Sequence, residues 1–214
     1  TGLLLQKGAH DLDVIHWLAD APTSRAVGMG GLTVYGQISD RQDRSEQRMP
    51  EWLSTDNWPP LTLTGLNPVV DVEDVSMMLM RLENGVFASY EQCHYTPDYW
   101  RSYTVIGTEG RLENFGDGEG GQIKVWTTRG DYREADELLT IPAADGGHGG
   151  ADRALVAEFL RFVRVGGETE TSPVAARDAV AAGVAATLSM RSDNAPVAIR
   201  PVPADLREYF QAQP

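Results

Sequence analysis

Four side chains near the start of the chain, His10, Asp11, Asp13 and His16, are of types that bind metals or move protons. Helical metal pairs stand three or four residues apart on one face. His10 and His16 are six apart and so about 120° apart around a helix axis. Metal binding is the minor reading. His10 and Asp13 are three apart and share a face with Trp17. A histidine in the first helical turn, three residues after Lys7, can transfer a proton or hold a sugar hydroxyl. Spacing alone favours the plainer alternative, a cap histidine held by a local carboxylate.

A second group, His94, Tyr95, Tyr99 and Arg101, falls between two strand-like runs, where loops collect binding groups. These side chains suit a sugar or a carboxylate, and equally an aromatic hairpin packed under a lid. His148 precedes Gly149-Gly150 at the start of a helical run. Exposed amides there can hold an oxyanion, or the glycines can form a plain flexible loop. Cys93 reads as a small buried hydrophobe. No GxGxxG, GxxxxGK[ST] or GxSxG pattern is present, and Gly28, Gly30 and Gly31 sit inside a strand-like run where they read as structural.

These candidates need elements to hold them. Leu12, Ile15, Leu18 and Ala19 recur at helical spacing over residues 8–19, and Ala21-Pro22 ends that helix. Residues 24–36 predict one or two strands. Residues 37–70 are polar, then aromatic around Trp52 and Trp58, and read as a long insertion or lid. Residues 72–82 predict a strand, Asn84-Gly85 a hairpin turn, and residues 86–95 the returning strand. Further strands are expected at 100–108, 111–115 and 122–128. Short connections make the sheet mainly antiparallel. Residues 150–166 carry Leu155, Phe159, Phe162 and Val163 on one helical stripe, and 172–192 opens with Ser172 as N-cap and Pro173 at the first helical position. A short strand and a surface tail follow. The order reads as α+β: one open sheet with helices on one side. Residues 75–82 are apolar on both alternations, so the strand is expected to be covered on both faces.

The 214 residues suffice for one large domain or two small ones. Acidic residues outnumber basic ones 31 to 18, a net charge of −13. That balance argues against nucleic acid and against an anionic membrane surface as partners. One cysteine excludes an internal disulfide framework, and a reducing, cytoplasmic compartment fits. No apolar run reaches the roughly 18–20 residues of a membrane helix. The chain starts at Thr1 without a leader, as a fragment of an ordered protein would.

Residues 1–20, TGLLLQKGAHDLDVIHWLAD, resemble the segment that opens the second domain of the Gfo/Idh/MocA (glucose–fructose oxidoreductase / inositol dehydrogenase) family, typically GGxLxDxGxHxxDxxxWL. Gly2, Gly8, His10, Asp13, Trp17 and Leu18 match. Residues 101–113, RSYTVIGTEGRLE, resemble the family's sheet strand and turn. Residues 148–163 and 172–192 resemble its C-terminal helical stretches. The likeness runs to about residue 200, with 37–70 unplaced.

The resemblance implies an open-faced, mainly antiparallel sheet with helices on one side, similar to the C-terminal domain of glyceraldehyde-3-phosphate dehydrogenase. Residues 1–214 would then be one substrate-binding and oligomerisation domain. The NAD- or NADP-binding Rossmann domain is absent from this chain, so no cofactor is expected on it and the fragment alone should be inactive. His10 would be the substrate-hydroxyl partner and proton-relay group. Gln6, Lys7, Asp13, His94, Tyr95, Tyr99, Arg101 and His148 are the further candidates. Four residues before the histidine the family usually has Asp, and this chain has Gln6. Glutamine cannot raise the basicity of His10 as a carboxylate would, which leaves room for Lys7 to help hold the substrate. The implied activity is hydride transfer between a nicotinamide and a secondary alcohol of a sugar, cyclitol or related polyol. The alternatives are a non-catalytic binding or assembly domain, or an NAD-dependent elimination or hydrolysis enzyme. The uncovered face of strand 75–82 predicts a homodimer packed sheet to sheet.

Overall fold

A computed structural model describes residues 2–51, 56–170 and 172–211. Trp52 of the expected lid lies outside the described residues. In chain order the elements are α1 (Leu3–Gln6), α2 (Gly8–Ala19), β1 (Thr23–Gly31), β2 (Val75–Leu82), β3 (Phe87–Cys93), β4 (Thr104–Ile106), β5 (Arg111–Phe115), β6 (Gln122–Trp126) and β7 (Glu137–Thr140). Then come α3 (Ala151–Val165), α4 (Pro173–Met190), β8 (Val197–Ala198) and α5 (Ala204–Gln211). The chain forms two compact units, Thr1–Pro97 with Thr169–Pro214, and Asp98–Glu168.

The fold is an open antiparallel sheet with helices packed on one side. Its strands are not all in one ladder, as the sequence suggested. They form two four-stranded sheets, β3-β2-β1-β8 and β4-β5-β6-β7. The break follows β3. The pairing of β3 with β2 ends at Cys93, and the next paired residue is Thr104. The expected strand at 100–108 is correspondingly short. The expected strand at 24–36 ends at Gly31, and a 3-10 turn takes Tyr35–Gln37. The turn helix α1, the strand β7 and the helix α5 lacked a sequence signal strong enough to place them.

In the first unit the alternation of β2 decides the layers. Ser76, Met78, Met80 and Leu82 are buried, while Met77 and Leu79 on the opposite face are exposed. The buried set meets Ala26 of β1, Leu12 of α2, Leu4 of α1 and a small-residue stripe on α4 formed by Ala179, Ala182 and Ala186. The stripe brings α4 very close to β1. A Cβ on Gly28 would collide with the Ala186 carbonyl, which is why this strand position is glycine. Where the two-residue β8 runs out, α4 and its following turn satisfy the strand instead. Ser189 Oγ accepts the Gly28 N–H at 3.0 Å, and Asn194 Nδ2 donates to the Gly28 carbonyl at 2.7 Å. Ser172 caps α4 as expected, accepting the Ala175 N–H at 3.0 Å. The Asn84-Gly85 turn joins β2 to β3, and Asn84 Nδ2 also donates to the Ala19 carbonyl at the end of α2.

The outer face of this sheet carries Met29, Met77, Leu79 and Phe87, all exposed. Strand β2 is therefore covered on one face by its own chain. Segment 37–70 closes on itself through the Arg41–Leu66 bridge. In the second unit no described residue of Asp98–Glu168 is buried. The apolar stripe of α3, including Leu155, Phe159 and Val163, is exposed. Of the two long C-terminal helices, only α4 contributes buried residues.

Candidate active site

Three stretches of the first unit converge at one end of its sheet. One is the junction of α1 and α2. Lys7 keeps right-handed helical angles between the two, so Gln6 and Lys7 lie about one turn ahead of His10. The His10 N–H reaches the Lys7 carbonyl at 3.3 Å. Gln6, Lys7 and His10 are all exposed, and Asp13 is half-buried.

The second stretch is the end of β3. Tyr90 and Gln92 alternate onto the helix-covered face, opposite Met78 and Ser76, and His94 follows in the same phase. Tyr90 Oη donates to Asp11 Oδ2 at 2.8 Å, and Gln92 Nε2 donates to Ser76 Oγ at 2.9 Å. The second bond ties β3 to β2, and the first seats the first turn of α2 on β3. Gly8 leaves the room for it, since a Cβ there would stand 3.2 Å from the Tyr90 ring.

The third stretch is the turn after β1, held by the buried carboxylate of Asp74. Its Oδ1 accepts the Thr33 N–H at 2.8 Å and the Thr33 hydroxyl at 2.9 Å. Its Oδ2 accepts the N–H groups of Val34 and Tyr35, each at 2.7 Å. Three successive amides around one carboxylate form a small anion nest. Burial pushes the Asp74 carboxyl up, but these donors outweigh it and its pKa falls below the usual value. Tyr35 Oη then donates to the His94 carbonyl at 2.6 Å, and Thr33 Oγ1 lies 3.5 Å from Tyr95 Oη.

Lys7 and His94 therefore share one electrostatic neighbourhood although 87 positions separate them (94 minus 7). Desolvation lowers the His94 pKa, the Lys7 ammonium pushes the same way, and Asp74 opposes them. Burial raises the Tyr35 hydroxyl pKa, with Asp74 and Cys93 adding to it. The exposed rim offers an ammonium, two imidazoles and the Gln6 amide. Such a set can bind hydroxyls, take up a proton and attract negative charge, in a chain whose net charge is −13.

His16 faces away from this rim. Its Nε2 accepts the Thr23 N–H at 3.2 Å and lies 2.8 Å from Thr23 Oγ1. An N–H donor requires an unprotonated Nε2, so the ring is neutral. Burial lowers its pKa against the raising influence of Asp178 and Asp13. The two histidines do not meet, and among the described residues no His, Cys, Asp or Glu group is arranged to hold a metal. Cys93 is half-buried in β3 rather than enclosed. Tyr99, Arg101 and His148 belong to the other unit. Tyr99 is fully open to solvent, Arg101 pairs with Asp117 at 3.3 Å, and His148 Nδ1 lies 2.9 Å from Asp152 Oδ1. Sequence reasoning missed Tyr90, Gln92, Asp74 and Tyr35. Asp11 was noticed only as a metal candidate. Their roles depend on partners as far as 79 residues away, which leave no local signal.

The sequence profile of the oxidoreductase family's C-terminal alpha/beta domain, that of Gfo/Idh/MocA, matches residues 1–199. The chain belongs to this family. The Gfo/Idh/MocA domain here is similar to part of levoglucosan dehydrogenase in complex with NADH and levoglucosan. The TM-score is 0.65 at 16% identity, over 94% of this chain and 51% of that one. It is also similar to myo-inositol 2-dehydrogenase from Lactobacillus plantarum, with TM-score 0.57 and 16% identity over 93% and 49%. A third likeness is to aldose-aldose oxidoreductase from Caulobacter crescentus complexed with glycerol, with TM-score 0.55 and 14% identity over 90% and 46%. The chain thus spans about half the length of each. At these identities the likeness is one of fold. No curated protein sequence matches the chain.

The nucleotide used by such oxidoreductases finds no fitting cradle among the described residues. Gly28, Gly30 and Gly31 lie within β1, and Gly28 is closed off by α4. The glycines at 146–150 surround the His148–Asp152 pair. Strand β7, the glycines at 146–150 and α3 do follow one another, but they carry no GxGxxG spacing, and the Asp152 carboxylate stands beside Gly147, where a pyrophosphate would be repelled.

Proposed function

We propose that this chain is the substrate-binding and oligomer-forming domain of an NAD- or NADP-dependent oxidoreductase acting on a sugar, cyclitol or related polyol in the cytoplasm. What supports this is the placement of Lys7 and His10 at the start of α2, with the Lys7 ammonium close enough to act on His94 at the end of β3. The family membership supports it. In the complete protein the nicotinamide supplies hydride transfer. This chain's own part is narrower. His10 takes the proton of a substrate hydroxyl, a step that alcohol oxidation requires. Lys7 and Gln6 hold neighbouring hydroxyls, with Asp13, His94 and Tyr95 around them. Tyr99, Arg101 and His148 are further substrate-binding candidates from the second unit. The outer face of β1–β3 joins two copies.

The test is an assay of the complete protein with NAD⁺ and NADP⁺ against myo-inositol, levoglucosan, glycerol and a set of aldoses. The expected result is nicotinamide reduction with at least one of them. No reduction with any, together with an intact dimer, would instead support a non-catalytic assembly domain. A calorimetric titration of this 214-residue chain with NADH should show no tight site.

A further inference from the structure

One positive charge on the rim of the first unit's site is unmatched. Lys7 is one of two lysines in the chain. The other, Lys124, lies over the Phe115 ring at 4.6 Å. Lys7 is exposed, and among the described residues no carboxylate pairs with its ammonium. Gln6 beside it is neutral, where the family pattern usually has Asp. A carboxylate at that position would stand next to the ammonium and repel a second anion.

The carboxylates behind the rim are already engaged. Both oxygens of Asp74 accept from residues 33–35, and Asp11 Oδ2 accepts the Tyr90 hydroxyl. Asp13, half-buried, acts on the ring of His16. Desolvation lowers the His94 pKa, and the Lys7 ammonium adds to this against Asp74. The His94 imidazole is therefore neutral at neutral pH and offers a donor without a charge. A single ammonium matches a singly charged carboxylate better than a phosphate ester, which carries about −1.5 to −2.

We propose that the substrate is an acidic polyol, a sugar acid whose carboxylate pairs with the Lys7 ammonium beside the hydroxyl that His10 deprotonates. This rests on the polyol reading above and narrows it. Of the groups that Lys7 and Gln6 hold, the one at Lys7 is a carboxylate and the one at Gln6 a hydroxyl. Lys7 lies about one helical turn ahead of His10, so both reach one small molecule. Lys7 is then the residue that selects acid over neutral polyol.

The test uses the complete protein and two matched pairs, gluconate with glucitol and glucuronate with glucose. In the wild type kcat/KM for the acid should exceed that for its neutral partner by about tenfold or more. Lys7→Met should lower this ratio by about tenfold or more, chiefly by raising KM for the acid. Equal use of acid and neutral partner, or a preference that survives Lys7→Met, overturns the proposal. A second arm needs no turnover. Acetylation of Lys7 by acetic anhydride, read by peptide mass spectrometry with Lys124 as the reference, should slow about twofold or more with gluconate and not with glucitol. No protection by gluconate, or stronger protection by glucose 6-phosphate, overturns the carboxylate pairing. Should the wild type reduce nicotinamide with none of these compounds, the function proposed above falls, and the acetylation arm still decides the pairing.

Discussion

Tyr90 Oη donates to Asp11 Oδ2 at 2.8 Å, joining β3 to the inward side of α2. Asp11 is buried and His10, one residue earlier, is exposed. At about 100° per residue, fixing Asp11 inward turns His10 out onto the rim. The Tyr90–Asp11 contact thus links the packing of β3 to the presentation of His10. Tyr90→Phe removes it at little change in volume. The expected loss is about 1–2 kcal/mol in urea unfolding, with kcat of the complete enzyme falling as His10 loses its fixed orientation. Unchanged stability and rate would show that α2 is held by its apolar contacts alone.

His10→Ala in the complete enzyme should cut kcat by roughly 10²–10⁴, the usual worth of a general acid or base. Near-normal kcat would return His10 to a helix-start residue. Gln6→Asp restores the family carboxylate and should shift the pH–rate profile. An unchanged profile would mean that the carboxylate at this position does not act through His10.

Stability should fall as the solution is acidified below about 6.5, the ordinary histidine value. His16 is neutral and buried, and its folded pKa is lowered chiefly by desolvation. Below the unfolded value the unfolded chain binds a proton that the folded chain resists, so ∂ΔG/∂pH is positive there. The stabilisation is present above that value and is lost as pH falls. Urea midpoints measured across this range should drop in the wild type and drop less in His16→Gln. Parallel slopes for the two proteins would assign the loss to other groups.

A second acid transition belongs to Asp74, whose folded pKa is lowered by the amides of residues 33–35 against its burial. Its contribution is complete above the ordinary carboxylate value of 3.8 and is lost as pH falls through the lower folded value. Asp74→Ala should cost about 2–4 kcal/mol at neutral pH, as expected for a buried charged acceptor serving several donors. A loss below the spread of surface substitutions would mean that residues 33–35 keep their turn without it.

The outer sheet face predicts the assembly. Leu79 is 64% exposed and Phe87 79%; Met29 pairs with Met77 on the same face, and Phe87 pairs with Arg81. An apolar face of this kind is buried against itself in a twofold dimer. Light scattering at micromolar concentration should show a dimer, and Leu79→Arg should give a monomer. A wild-type monomer would refute the sheet-to-sheet contact. Screening over about 8 Å at physiological salt keeps the acidic net charge from preventing association.

Much of this molecule was legible along the chain because its signals are local. The helix at 8–19, the Asn84-Gly85 turn and the Ser172-Pro173 start of α4 depend on neighbours within a few residues. Periodicity and capping act over that range. Residue type and a three-residue spacing drew notice to Lys7 and His10, but spacing alone favoured a cap histidine, and their catalytic role is what the family resemblance implies. Tertiary structure alone decided what those residues meet. The one-sheet expectation failed after Cys93, where β3 reaches the end of β2 and pairing resumes only at Thr104, in a separate sheet. The stripe on α3 is as periodic as a buried helix, yet none of its residues is buried, because periodicity shows that a face is apolar and not what covers it. Asp74 gave no hint of its role, since a carboxylate finds three consecutive amides only once β1 and β2 are paired. The partners of Asp11 and His94, Tyr90 and Tyr35, likewise lie far away in the chain, and only packing brings them within reach.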